Sequence, residues 1–249
     1  MLLAHATWRE VEAYLKRSVG IVLPIGSTEQ HGAMGLIGTD GICAEAIALG
    51  IGERADALVG PTVSLGANQF NLAFPGTISL RATTLMALIT DYVESLACQG
   101  FRRFYVLNGH GGNVAPVRAA FHDLHRSRGG LYLRLRSWWE LPRANALRLE
   151  LYGAAEGMHA TPSEVAITQH VLPDHIKQVS EPAPAPLPAA FLRDHAGDQH
   201  RDAAHHRESF PDGRVGSDSA LATPEHGARL LEAAITDAVE DYRALLTES

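Results

Sequence analysis

Over its first two thirds the chain alternates short apolar runs with longer amphipathic ones, and this alternation narrows the folds open to it more than any other feature. Residues 20–25 (GIVLPI) are continuously apolar, which suits a strand buried on both faces. Residues 57–63, 102–107 (RRFYVL) and 131–137 (LYLRLRS) are further strand candidates, the last alternating with period two. Helical spacing predicts helices over 7–18, 41–54, 83–99 and 113–128, with Gly100 stopping the third and Asn113 capping the fourth. Another helix follows the fourth strand, a short one is expected over 162–171, and a long one spans 223–246. Strands alternating with helices imply an α/β fold with a mostly parallel sheet and helices on both faces.

A chain of 249 residues, 46% of them apolar, buries a sizeable core, which excludes disorder as the dominant state. A net charge of −7 argues against nucleic-acid binding through a broad basic surface. No run approaches the ~20 apolar residues of a membrane span, and the first residues lack a secretory leader pattern. The expectation is therefore a cytoplasmic protein with neither nucleic-acid nor membrane partners. Cys43 and Cys98 are too few for a disulfide framework and read as small buried thiols. The chain reads as one domain over 1–249, with a Pro- and His-rich arm at about 180–220 that suits a lid or an interface. Histidines 195, 200, 205 and 206 lie in that arm among many charges, off any single helical face, and read as solvated.

In open parallel sheets, ligands bind beyond the carboxyl ends of the strands. After 20–25 come Glu29, His31 and Asp40; after 102–107 comes Asn108-Gly-His110-Gly-Gly-Asn113; after the fourth strand and its helix come His159 and Glu164. Carboxylates and imidazoles without thiolates suit Zn²⁺, Mn²⁺ or Fe²⁺ in a catalytic rather than a structural site. Five ligands drawn from this set exceed what one zinc takes, so two ions sharing a carboxylate fit better. Simpler roles remain open: Asp40 as a helix cap, and Glu164 as the acidic member of a capping box, Thr161-Pro-Ser-Glu164. The glycines around His110 allow backbone to approach a ligand closely. Trp138 and Trp139 either wall a pocket for a planar substrate or pack in a core or interface.

Taken together, Gly26-Ser-Thr-Glu-Gln-His31-Gly32, Gly38-Thr-Asp40, Phe74-Pro-Gly-Thr-Ile-Ser-Leu80 and Asn108–Asn113 resemble the creatininase family of metal-dependent amidohydrolases. The resemblance implies a three-layer α/β/α sandwich and a hexamer. It implies two divalent ions, zinc first with manganese or iron as alternatives. Glu29, Asp40 and His110 match the ligands of one ion, and His31 and Asp40 those of the second, with Asp40 bridging. Creatininase itself adds a glutamate where this chain has Gly112; Glu164 is expected to replace it. His159 matches the family's proton donor to the leaving nitrogen. Gly111, Asn71 and Trp139 are the expected substrate contacts. Around them the chain departs from the family: Ala33 and Met34 replace a Pro-His pair, and Asn71 stands where a histidine is common.

The leading expectation is hydrolysis of a C–N bond in a small non-peptide substrate, a cyclic amide or formamide, by dimetal-activated hydroxide. A second is a metallopeptidase acting on a short peptide, as in maturing a peptide-derived cofactor. A third is a non-catalytic metal-binding assembly protein.

Overall fold

A strand without a polar face has to lie between two layers. All six residues of β1 (Gly20–Ile25) are buried. In the computed structural model, which describes residues 1–185, 187–188, 190–191 and 201–248, β1 is an inner strand of a four-stranded parallel sheet. The order is β2–β1–β3–β4, with β2 at Leu58–Val59, β3 at Arg103–Asn108 and β4 at Tyr132–Ser137. β2 is shorter than the run 57–63 suggests: Pro61 has no N–H for the ladder, and Val63 makes only a lone bridge to Ile25.

Ile21, Leu23, Ile25, Phe104 and Val106 pack on one face against α1 (Trp8–Leu15), α3 (Ala82–Gln99) and α4 (Val114–Ser127). Val22, Tyr105 and Leu107 pack on the other against α2 (Thr39–Arg54), α5 (Pro142–Tyr152), α6 (Pro162–Val171) and α8 (Pro224–Thr247). The result is the three-layer α/β/α arrangement. Strand β4 alternates for a reason that lies outside itself. Its Arg134 and Arg136 reach Asp241 of α8, each at 2.7 Å.

Strand register brings three loops to one edge. Ile25 pairs with Asn108, and Asn108 with Ser137, so β1, β3 and β4 end level. The loops after them leave from that common edge. Asn113, the expected cap of α4, makes no capping bond. Its side chain instead donates to the Gly26 carbonyl at 2.9 Å and accepts from Ala67 N at 3.1 Å, tying two loops together.

Two expectations need correction. Cys43 is buried, but Cys98 is exposed near the end of α3, where its Sγ accepts a bond from Arg128. The described part of the arm is not simply solvated. In α7 (Ala203–Ser209), His206 is buried, with its ring 6.2 Å from Phe70 and 5.4 Å from Phe210. Apolar contact outweighs local charge density there. His195 and His200 lie outside the described residues. No helix among the described residues is long and apolar enough to cross a membrane.

Candidate metal centre

The edge where β1, β3 and β4 end carries the expected donors. Glu29 and His31 sit in the loop after β1, and His110 follows β3. Asp40 lies in the first turn of α2, which begins at Thr39 rather than Gly41. Capping therefore does not occupy it, and its carboxylate turns inward. Glu164 is the third residue of α6. All of these are buried or nearly so, and their nitrogen and oxygen atoms form overlapping clusters. Glu29, Asp40 and His110 make one group and His31, Asp40 and Glu164 another, the atoms within each lying inside 4.8 Å of one another.

Asp40 belongs to both groups through different atoms. Its Oδ1 is 3.0 Å from His31 Nε2, and its Oδ2 is 3.1 Å from His110 Nδ1. Glu29 Oε1 is 2.9 Å from the same His110 nitrogen. Glu164 also divides its oxygens. Oε1 accepts from Thr161 N at 2.5 Å, completing the capping box, while Oε2 stands 3.8 Å from His31 Nε2. Capping leaves one oxygen for the cluster.

The far nitrogens of both imidazoles are fixed by backbone. His31 Nδ1 lies 3.1 Å from the Glu29 carbonyl, and His110 Nε2 lies 3.0 Å from the Ala67 carbonyl. A carbonyl only accepts, so each ring donates there and, when neutral, turns a lone pair toward the carboxylates. Metal-binding histidines are oriented in this way. Without a cation, charge redistributes. Burial alone would depress His31, but the carboxylates of Asp40 and Glu164 win and raise it to about 10. His110 is likewise raised against burial by Glu29 and Asp40. Burial pushes Glu164 up, more than His31 draws it down.

Two oxygens test whether this set suits a metal. Glu29 Oε1 and Asp40 Oδ2 are buried and lack a hydrogen bond of proper geometry, although His110 Nδ1 is close to both. Buried acceptors left unsatisfied are costly. Two carboxylate oxygens that crowd His110 Nδ1 without a hydrogen bond are arranged as around a third body, and the chemistry of the set suits a divalent cation.

His159 borders the cluster, its Nδ1 3.8 Å from Glu29 Oε1. Its Nε2 is 2.8 Å from the Gln30 carbonyl and so carries the hydrogen. Burial, the leading cause, lowers its pKa to about 4, which leaves Nδ1 an open lone pair at neutral pH. Gln30 belongs to the same hydrogen-bond network, although residue type and spacing do not single it out between two candidate ligands. Its amide donates to Asn71 Oδ1 at 2.8 Å and to the Gly213 carbonyl at 2.9 Å. Asn71 passes this on, donating to Glu29 Oε2 at 2.9 Å. The structure thus places Asn71 behind Glu29, not on the cavity wall.

The cavity over the cluster has a volume of about 430 Å³, within the usual range for small-ligand sites. Of the three expected substrate contacts, Gly111 and Trp139 line it. Trp138 belongs mainly to the core and meets Trp139 edge-on, with centroids 6.1 Å apart. The glycines of the turn divide their roles. A Cβ on Gly112 would lie 2.0 Å from the Ala67 carbonyl oxygen, and one on Gly109 2.1 Å from that of Asp40, so backbone packing requires both. A Cβ on Gly111 would meet nothing within 4 Å.

Known proteins resemble this chain in sequence and in fold. The sequence matches the Creatininase family model, described as creatinine amidohydrolase, over residues 4–242. It is 33% identical over 164 residues to a mycofactocin precursor peptide peptidase of Mycobacterium ulcerans, a match covering 62% of this chain and 59% of that one. It is 29% identical over 163 residues to the creatinine amidohydrolase of Pseudomonas putida, covering 61% and 63%. The matched stretch thus spans about three fifths of the length of these curated relatives. A solved mutant creatininase of Zn-Zn type superposes with a TM-score of 0.81 at 25% identity, covering 99% of this chain and 98% of that one. Both the sequence match and the fold extend over nearly the whole chain, and the protein belongs to the creatininase family of metal hydrolases.

Proposed function

We propose that the protein hydrolyses an amide-type C–N bond in a small substrate, with residues 1–249 working as one unit. The observation that carries this is the division of Asp40, one oxygen facing His31 and the other His110. Glu29, Asp40 and His110 would hold one ion; His31, Asp40 and Glu164 would hold the other. Zinc is the leading candidate for both, with manganese or iron next, since the donors are carboxylates and imidazoles. When bound, the ions supply Lewis acidity, bringing water's pKa toward neutrality and drawing charge from the scissile carbonyl.

The chain's own residues do the rest. His159 starts neutral, takes at Nδ1 the proton shed by the attacking water, and hands it to the departing nitrogen. The Gln30 carbonyl keeps that ring in place from behind. Gln30 and Asn71 together hold Glu29 in position. In the turn after β3, the N–H groups of Gly109 and His110 are already bonded to the Ile25 carbonyl and Asn108 Oδ1. They are not available to a developing oxyanion.

A cavity of about 430 Å³ supports a small cyclic amide or formamide as substrate. A second reading is cleavage of a short peptide, supported by the 33% identity to the mycofactocin precursor peptide peptidase. Both readings extend to a hexamer on the family resemblance, which light scattering checks directly. The deciding experiment combines metal analysis with hydrolysis of a panel of lactams, formamides and dipeptides. Wild type should carry two ions, and Asp40→Ala should lose both. His159→Ala should keep them while losing about 10²–10⁴ in turnover. Two ions retained in Asp40→Ala would refute the shared carboxylate, and full activity in His159→Ala would remove that residue from the mechanism.

A further inference from the structure

Among the described residues that line the cavity, Arg148 is the sole lysine or arginine. It projects from α5, and its side chain is about one-fifth exposed. Two of its nitrogens are committed. Nε donates to the Trp139 carbonyl at 3.2 Å, and Nη1 makes a long contact of 3.5 Å with Glu156 Oε1. That same glutamate oxygen is held more tightly by Ser163 Oγ, at 2.5 Å. Glu156 is buried on the same wall of the cavity, where this contact steadies the guanidinium. Nη2 is left with no protein partner among the described residues.

A guanidinium oriented by two bonds and left with an unused donor is preorganised for an anion, because little further ordering accompanies binding. The other ionisable and aromatic side chains that line the cavity are carboxylates, imidazoles and tryptophans. Resting on the hydrolase reading above, we infer that Arg148 is a specificity residue that binds a carboxylate on the substrate, so that the enzyme acts on small amides that also bear a free acid. The cavity's size limits the spacing: the acid and the scissile amide lie within one small molecule or one short peptide end. N-acyl amino acids and dipeptides have this form; unsubstituted lactams and formamides do not.

The test is calorimetric binding to the zinc-loaded protein, using hippurate and its carboxamide, hippuramide. The two differ only in the charged group. Wild type should bind hippurate at least about tenfold more tightly, the scale of a charge-assisted hydrogen bond. Arg148→Gln should abolish the difference, and Arg148→Lys should restore part of it. Equal affinity of wild type for both probes, including no measurable binding of either, overturns the inference. So does a preference that survives in Arg148→Gln, since the zinc would then be the acid's partner. Circular dichroism and zinc content confirm that each variant is folded and loaded. Turnover of the same probes is read separately: discrimination by Arg148 without hydrolysis of any panel amide counts against the hydrolase reading and leaves this one standing.

Discussion

At His31, burial and charge pull in opposite directions. An imidazole removed from water should lose its proton, yet Asp40 and Glu164 hold it on and raise the pKa to about 10. A raised pKa has a definite sign. In the metal-free protein the stabilisation from these ion pairs is complete below the ordinary histidine range, and it fades as pH rises toward 10. A cation needs the neutral ring, so it must displace that proton. Zinc added to metal-free protein at pH 7 in weak buffer should therefore release protons, and its affinity should strengthen as pH rises. An indicator dye reads the release directly; uptake with no proton release would mean that His31 and His110 were already neutral. At this scale the sequence was informative where chemistry restricts residue type. Glu29, His31, Asp40, His110, His159 and Glu164 all gather at one place. Residue type does not mark Gln30 and Arg148, because amides and arginines occur on most surfaces and only packing sets these two apart.

Elements are held in place by close backbone approaches that composition does not show. The turn between β3 and α4 carries three glycines near His110, and the sequence suggests one purpose for all of them. The structure separates them. Gly112→Ala would press a methyl group into the Ala67 carbonyl and should cost about 1–3 kcal/mol, the range for overpacking. Gly111→Ala meets open space. It should leave stability nearly unchanged while altering KM, because it lines the cavity. Urea unfolding beside steady-state kinetics tests the pair, and a shared stability loss would contradict this division. Helix and strand positions were legible from periodicity to within a few residues. The exceptions have local causes: Pro61 cut β2 short, and α2 began two residues early and so turned Asp40 inward. Asn113 was visible as a polar residue at a helix start, but its true partners, Gly26 and Ala67, are distant in sequence.

For the whole molecule, donors drawn from four separate elements and loops link metal binding to global stability. A cation that binds only the folded arrangement of these donors stabilises it, so removing metal should weaken the entire fold. At a free metal concentration of about 100 times Kd, the linkage is worth about 2.7 kcal/mol. For a chain of this size that corresponds to a fall in Tm of about 5–10 °C on chelation. Scanning calorimetry with and without a chelator measures it; an unchanged Tm would show that the donors close up on their own. The layered architecture was readable from the alternation of strands and helices. The return of residues 213–215 to Gln30 and His159 was not, since a bond from the Gln30 amide to the Gly213 carbonyl and a lone bridge between Val215 and His159 leave no periodic trace.

The order of the donors along the chain also bears on how the protein matures. Emerging from the ribosome, it presents Glu29, Asp40 and His110 well before Glu164, which follows only once β4 and α5 have been made. The donors of one group are thus complete on the nascent chain while those of the other wait for α6 to be made.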